Sequence, residues 1–187
     1  SIENEKKNPV YLDIGIKQFG NEFVMARKSK VIGILGDTSQ GKTSLMRHMA
    51  QEMAKQIDAN KGEIGLFVTW EDNIEDFGMV DFANISLIPV RSLYNGEVND
   101  NQFKRLMNAA AKRAATPLWL AGHSETSLTR PMLTMTDIFS ICENLITKQG
   151  KKIRFIMLDY LQRINREDTG ERDTRMQFVK IRDQVKN

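Results

Sequence analysis

The feature that most constrains the fold is an eight-residue segment between an aliphatic run and a helical pattern. Residues 31–35 read Val-Ile-Gly-Ile-Leu, and residues 36–43 read Gly-Asp-Thr-Ser-Gln-Gly-Lys-Thr. The second segment fits Gly-x-x-x-x-Gly-Lys-Ser/Thr, a loop that joins a buried strand to a helix and wraps its backbone around phosphate oxygens. An accidental turn with a surface lysine is the alternative, and the strand–helix context disfavours it. The sequence therefore predicts a P-loop.

The candidate nucleotide-binding residues are those of the loop and the first residues of the helix: Gly36, Asp37, Thr38, Ser39, Gln40, Gly41, Lys42, Thr43 and Ser44. We expect the loop N–H groups to point at phosphate oxygens and the Lys42 ammonium to contact the β- and γ-phosphates. The Thr43 hydroxyl is expected to coordinate Mg²⁺. The positive end of the helix dipole adds to the attraction for phosphate.

Strands and helices alternate along the chain from residue 30 onward. Strands are expected at 31–35, 63–70, 118–121 and 153–161, and helices at 43–58, about 73–83, 99–115, 135–150 (with Thr136 as its N-cap) and about 173–186. Aliphatic strands that alternate with helices are typical of an α/β fold whose mostly parallel sheet has helices on both faces. Residues 1–29 are polar and are interpreted as an N-terminal linker or edge segment, which leaves 30–187 as the core domain.

Composition excludes several other classes of protein. The formal net charge of +3 permits contact with nucleic acid without requiring it. No apolar run approaches the roughly 20 residues that cross a bilayer, and the polar N-terminus does not resemble a secretory signal. One cysteine, Cys142, rules out an intramolecular disulfide, and two isolated histidines offer no zinc-site spacing.

Two carboxylates follow predicted strands at positions where a bound nucleotide would need them. Asp159 lies near the end of strand 153–161 and could hold the metal ion through water, or it could merely end the strand. Glu71 follows strand 63–70 and could polarise the attacking water. A helix-start acid is an equally good interpretation from spacing alone, and the neighbouring Asp72 could play either part.

Taken together, these motifs resemble the RecA-like motor domain (the C-terminal ATPase domain) of DnaB-type hexameric replicative DNA helicases. Leu-Asp-Tyr-Leu-Gln-Arg-Ile at 158–164 is similar to that family's Walker-B signature. The flanking stretches that also look like the family are 95–106, 116–122, 133–145 and 173–186. The resemblance covers about residues 11–187 and implies a RecA-like P-loop NTPase fold.

The resemblance also implies roles for individual residues. Gly41, Lys42 and Thr43 would bind phosphate and Mg²⁺, with Lys42 contributing to catalysis, Asp159 would coordinate Mg²⁺, and Glu71 would be the catalytic base. The family usually carries Ser-Leu-Glu-Met at its catalytic glutamate, whereas this chain has Thr69-Trp70-Glu71-Asp72. A divergent member of the family, encoded by a bacterium or a virus, would fit this difference.

In the family, a glutamine that senses the γ-phosphate, DNA-binding loops and an arginine finger follow the part of the domain that this chain resembles. None of them can be placed before Asn187, so the sequence resembles about the first two-thirds of a motor domain. An arginine finger is worth about 10³–10⁵ in rate. We therefore expect the chain alone to bind Mg-ATP and to hydrolyse it slowly.

The charged loop 163–175 is a candidate for DNA contact, because the loop after Walker B faces the central channel in such motors. Its basic residues are Arg163, Arg166, Arg172 and Arg175. Mobile arginines can follow a phosphate backbone. Interleaved acidic residues nearly cancel their charge, and a solvated loop without a DNA contact is the commoner outcome for such a segment. Trp70 and Trp119 are expected to be buried in strands and therefore to offer no stacking surface.

The function implied by the resemblance is that of a replicative helicase motor that uses ATP and Mg²⁺ to translocate on single-stranded DNA. It would work as a homo-hexameric ring in the cytoplasm of a bacterium or a virus-infected cell, with primase or a helicase loader as candidate partners and no membrane contact. The alternatives are a recombinase-like or regulatory RecA-like ATPase without unwinding activity, a P-loop kinase, and a non-enzymatic nucleotide-binding module.

Overall fold

A three-stranded parallel sheet lies at the centre of the computed structural model, which describes residues 11–16, 26–27, 32–37, 39–123 and 133–159. Its strands are β3 (Glu63–Thr69), β4 (Leu118–Gly122) and β5 (Lys152–Asp159), in the order β4-β3-β5. The central strand pairs in parallel with both neighbours. A separate antiparallel ribbon contains β1 (Tyr11–Leu12) and β2 (Ala26–Arg27).

Five α-helices are present in the described part of the chain. They are α1 (Lys42–Ala54), α2 (Ile74–Ser86), α3 (Val90–Tyr94), α4 (Asp100–Ala115) and α5 (Met135–Thr147). A single 3₁₀ turn, Ala59–Lys61, precedes β3. None of these helices is both long and apolar enough to cross a bilayer. The helices and strands expected between residues 43 and 159 are therefore confirmed, with boundary shifts of a few residues.

Side-chain caps fix where three of the helices begin. Asn73 accepts a hydrogen bond from the Asp76 N–H at the start of α2. Asn99 and Thr134 form reciprocal capping boxes at the starts of α4 and α5. The expected N-cap Thr136 is wrong, because Thr134 has the extended backbone that an N-cap needs and its hydroxyl accepts from the Asp137 N–H.

Both faces of the sheet are covered, as the apolar composition of β3 requires. On one face Phe67 packs against Ala50 and Ala54 of α1 and Phe77 of α2. On the other face Leu66, Val68 and Trp70 pack against Met135 and Ile138 of α5. Burial of an aliphatic or aromatic side chain stabilises the fold by about 1.5–3 kcal/mol, so these two layers hold the sheet between helices.

The N-terminal ribbon contributes to the packing around α1. Leu12 and Ile14 are buried in one cluster with Met49 and Met53 of α1 and with Ile57. The Gln56 side chain also joins this segment to the end of α1, because it donates to the Asp13 carbonyl and accepts from the Asp13 N–H. Residues 12–14 therefore take part in the same apolar layer as the P-loop helix.

The strand expected at 31–35 is not formed in the described part of the chain. Residues 32–37 have no regular secondary structure, and Ile32 and Leu35 are 43% and 95% exposed. Only Ile34 of this segment packs partly against the cluster that contains Leu12, Ile14, Met49, Met53 and Ile57. An apolar run becomes a strand only where a neighbour pairs with its backbone, and no described strand pairs with this segment.

The expected burial of Trp119 is also wrong, since it lies on the edge strand β4 and is 38% exposed.

A buried polar cluster joins three helices to the sheet. Asp81 of α2 is fully buried and accepts hydrogen bonds from Gln51 of α1, at 2.8 Å, and from Arg113 of α4, at 2.9 Å. Arg113 also donates to the Leu118 carbonyl of β4. Burial raises the pKa of the Asp81 carboxyl, and the positive charge of Arg113 opposes that rise.

Removal of Arg113 is expected to destabilise the fold strongly. Arg113→Ala leaves the Asp81 carboxylate buried without its counter-charge, which costs about 3 kcal/mol or more. Arg105→Ala, at an exposed site of the same helix, should change stability by less than about 0.5 kcal/mol. Because burial raises the pKa of Asp81, lowering the pH protonates this carboxyl in the folded protein and removes its charge. The loss of stability in Arg113→Ala should therefore become smaller as the pH falls. Urea unfolding at neutral and at acidic pH measures the free energy of unfolding of both variants. Equal losses of stability in Arg113→Ala and Arg105→Ala would contradict this role of Arg113.

Close packing makes Gly65 of β3 intolerant of a side chain. A Cβ atom there would overlap the ring of Phe155 on β5 unless that ring moved. Gly65→Ala should therefore cost about 1–3 kcal/mol from overpacking. Gly78→Ala in α2 is the matched control, because nothing lies within 4 Å of its added Cβ and alanine favours helix by about 0.5–1 kcal/mol. Urea midpoints that do not separate the two variants would rule out this packing constraint.

Candidate nucleotide-binding site

The P-loop reaches α1 through backbone conformations that suit anion binding. Gly41, immediately before the helix, has a φ of +78°, and Ser39 has a φ of +63°. A positive φ is readily adopted by glycine and is uncommon for a residue with a side chain. Left-handed residues in such a turn orient successive N–H groups towards one concavity, which is how backbone forms an anion site.

The N-terminus of α1 is left open, unlike those of α2, α4 and α5. No side chain caps it, and no acidic residue lies in its first turn. The first N–H groups of a helix have no intrahelical acceptor, and their positive dipole end attracts anions. The N–H groups of Lys42, Thr43 and Ser44 therefore lie at a helix terminus that no side chain caps and whose first turn holds no acidic residue.

Lys42 lies back across the P-loop. Its ammonium donates to the Asp37 carbonyl at 2.5 Å, and its Cγ and Cδ atoms pass 3.6 Å from the position of a Gly36 Cβ. The exposed residues of the predicted phosphate site include Gly36, Asp37, Ser39, Gln40 and Ser44. Thr38 lies outside the described residues. The structure thus places the described residues of the predicted phosphate site in one loop and the first turn of α1.

Asp159 lies at the carboxyl end of β5, directly opposite Thr69 of β3. Its backbone carbonyl accepts a hydrogen bond from the Trp70 N–H at 2.8 Å, and the residue is 1% exposed. Parallel pairing therefore brings the end of β5 next to the turn that follows β3. The structure places Glu71 in that turn, with an exposed side chain.

The electrostatic surroundings of Asp159 show which side chains meet at this edge of the sheet. Burial raises the pKa of Asp159, and the Thr43 hydroxyl, which offers the carboxylate a hydrogen bond, lowers it. The negative charges of Glu71 and Asp72 raise this pKa further, whereas the positive charge of Arg47 lowers it. Thr43, Glu71 and Asp159 are thus brought together around the start of α1.

Arg47 is the residue of this site that our sequence reasoning missed. It lies one helical turn after Thr43, is 6% exposed, and donates to the Asp72 carboxylate at 2.6 Å. Its guanidinium also stacks 4.0 Å from the centre of the Phe77 ring. The four-residue spacing from Thr43 was a usable signal, because residues i and i+4 share a helix face.

The residues present fit a hydrated Mg²⁺ ion. Among the described residues, three buried side-chain polar atoms have no hydrogen-bond partner: Arg47 Nε, Ser86 Oγ and Asp159 Oδ2. Two of them belong to this site, and the free Asp159 oxygen is an acceptor that a metal-bound water would satisfy. No group of three His, Cys, Asp or Glu side chains in the described ranges could hold a metal ion by itself. Mg²⁺ commonly uses one or two protein oxygens with water and phosphate.

The proposed DNA-contacting arginines cannot be placed relative to this site. Arg163, Arg166, Arg172 and Arg175 lie outside the described residues, as does the helix expected at 173–186. The same applies to the part of the Walker-B-like segment that follows Asp159.

Comparison with known proteins gives the family and the fold. Residues 12–187 match the model of the DnaB-like helicase C-terminal domain. One solved structure, described as an ATPase domain, superposes with a TM-score of 0.72 at 14% identity, covering 99% of this chain and 62% of that one. A DnaB-like replicative helicase, studied with its interactions with primase, gives a TM-score of 0.75 at 15% identity, covering 99% of this chain and 42% of that one.

Two further facts bound these comparisons. Among curated protein sequences, none matches the chain. The chain spans less than two-thirds of the length of either solved structure described above. The two structures share its α/β architecture, so the expected RecA-like fold is confirmed. Because the family model matches nearly the whole sequence, the chain belongs to the DnaB-like helicase C-terminal domain family.

Proposed function

We propose that this chain is the motor domain of a replicative DNA helicase that binds and hydrolyses Mg-ATP to translocate on single-stranded DNA. The observation that carries the proposal is that α1, which carries Thr43, packs on β3 and β5, whose paired carboxyl ends bring Asp159 next to the turn that carries Glu71. A P-loop with an open helix N-terminus lies beside them. Membership of the helicase family supports the same assignment.

Phosphate binding in this proposal uses groups that are already oriented. The loop N–H groups and the start of α1 bind the phosphate oxygens. Lys42 exchanges the Asp37 carbonyl for the β- and γ-phosphates, which is favourable because a negatively charged acceptor replaces a neutral one opposite the ammonium.

Hydrolysis in this proposal depends on the two carboxylates. Thr43 and Asp159 would hold Mg²⁺, Asp159 through water, and the ion would neutralise charge on the β- and γ-phosphates. Glu71 is exposed at the tip of the turn after β3, so its carboxylate can reach a water molecule in the cleft, orient it and accept its proton.

The partners follow from the proposed activity and from the structural relatives. Single-stranded DNA is the track, and the arginine finger comes from the neighbouring subunit of a homo-hexameric ring. One of the structurally similar helicases was solved to study its interactions with primase, and we extend primase to this chain as a candidate partner, together with a helicase loader. The cytoplasm of a bacterium or a virus-infected cell is the proposed location.

Loss of the Lys42 ammonium is expected to weaken nucleotide binding. Lys42→Ala removes a charged hydrogen bond to phosphate worth about 2 kcal/mol, so the Kd for Mg-ATP should rise about 30-fold. Lys55→Ala, at an exposed position just after the same helix, should leave the Kd unchanged. Titration with a fluorescent ATP analogue measures both values. Equal Kd values for the two variants would remove Lys42 from the phosphate site.

Conversion of Glu71 to its amide is expected to stop hydrolysis without preventing binding. Glu71→Gln keeps the size of the side chain but cannot accept a proton, so turnover should fall about 10²–10⁴-fold. Phosphate release, measured with and without single-stranded DNA, is the assay. Glu97→Gln, at an exposed site, is the control.

Each other outcome of this assay favours a different function. Unchanged turnover in Glu71→Gln would contradict a catalytic role for this residue. Absence of ATP turnover in the wild-type protein would indicate a non-enzymatic nucleotide-binding module. DNA-stimulated turnover without unwinding would favour the recombinase-like or regulatory ATPase.

A further inference from the structure

We propose that Arg47 is a positioning residue of the ATPase site, which holds the turn carrying Glu71 at a fixed place relative to the P-loop helix through its ion pair with Asp72. The inference rests on the proposed function, because it assigns Arg47 a part in orienting the proposed catalytic base. It adds a residue to which neither the motifs nor the family comparison gives a role.

Arg47 is held on α1 at a position from which its side chain cannot move freely. It is 6% exposed, and its guanidinium stacks on the ring of Phe77, which is itself buried. Thr43 lies four residues earlier on the same helix, so both side chains project from one face, about 6 Å apart along the axis. A shift of Arg47 relative to Thr43 would therefore require α1 itself to deform.

The other end of the ion pair lies directly beside Glu71. The Asp72 carboxylate accepts from Arg47 Nη2 at 2.6 Å, and its side chain is 36% exposed. The Asp72 backbone is also held, because its N–H donates to the Thr69 hydroxyl and its carbonyl accepts from the same group. These contacts fix the C-terminal side of the turn.

The N-terminal side of the turn is fixed to a different element. The Trp70 N–H donates to the Asp159 carbonyl of β5, and the Trp70 indole N–H donates to the Leu133 carbonyl at 2.6 Å. Glu71 therefore lies between an anchor to β5, which carries Asp159, and an anchor to α1, which carries Thr43. These are the two elements that supply the proposed metal ligands.

The ion pair coincides with a position at which this chain departs from the family pattern. Asp72 stands where the resemblance in sequence leads us to expect methionine after the catalytic glutamate. Positioning is important because a displacement of about 1 Å can cost about 100-fold in rate.

The test compares binding, turnover and backbone exchange in matched variants. Arg47→Met keeps an unbranched side chain against Phe77 but removes the charge and the donors. Its turnover should fall about tenfold to a hundredfold, while the Kd for Mg-ATP stays within about threefold. Arg105→Met, at an exposed site of α4, is the control and should change neither value. Single-turnover hydrolysis makes the measurement possible in the 187-residue chain even if that chain is slow.

A second readout reports the turn itself and needs no nucleotide. Amide hydrogen exchange at residues 70–73 should become faster in Arg47→Met and in Asp72→Asn, with no comparable change in β4 or α4. Both single variants should lose turnover, and the two losses should not multiply in the double variant, because the ion pair is the interaction that they share. Arg47→Lys should restore part of the rate, since it keeps a charge that can reach Asp72.

The outcomes separate this inference from the proposed function. If Glu71→Gln loses turnover while Arg47→Met and Asp72→Asn keep it, the positioning role is overturned and the helicase motor stands. Multiplied losses in the double variant would also overturn it. If wild type does not bind Mg-ATP, the proposed function fails and the role of Arg47 fails with it. If Glu71→Gln hydrolyses Mg-ATP normally, Glu71 is not the catalytic base and the role of Arg47 is overturned on that ground. Should Arg47→Met not fold, Asp72→Asn at its half-exposed site carries the same test.

Discussion

Parallel pairing of β3 with β4 and β5 is the constraint on which the rest of the structure depends. A strand buried on both faces must satisfy its backbone through two neighbours and its side chains through two helical layers. Because all three strands run in one direction, their carboxyl ends meet at one edge of the sheet. Asp159 and the turn carrying Glu71 are neighbours for this reason, and α1 brings the P-loop to the same edge.

Charge is distributed unevenly at that edge. Glu71 and Asp72 both add negative potential at the buried Asp159, and Arg47 is the cation that opposes it. Arg47 also forms the ion pair with Asp72, so its charge serves two carboxylates at once. Burial makes an uncompensated carboxylate costly, and a divalent cation beside Asp159 would relieve that cost. The negative charge at this edge thus favours a cation beside Asp159.

The elements that could be predicted from the sequence share one property: local patterns decide them. The aliphatic strands β3 and β5, the alanine-rich helix α4 and the P-loop all carry their signals within about 10–15 residues. The strand expected at 31–35 has the same apolar character, yet residues 32–37 remain outside the described sheet. Pairing with a neighbour decides whether such a run becomes a strand, and pairing is a tertiary property.

The sequence by itself determined the candidate site residues and the order of elements: a P-loop segment with Lys42 and Thr43, an acid at the end of each of two aliphatic strands, and an α/β alternation. Only the tertiary structure decided which side chains meet. It brought Arg47 to Asp72 across 25 residues, placed Phe155 over Gly65 and enclosed Asp81 with Arg113. The physical reason is that burial and ion pairing depend on distances between elements, and no local pattern encodes these distances.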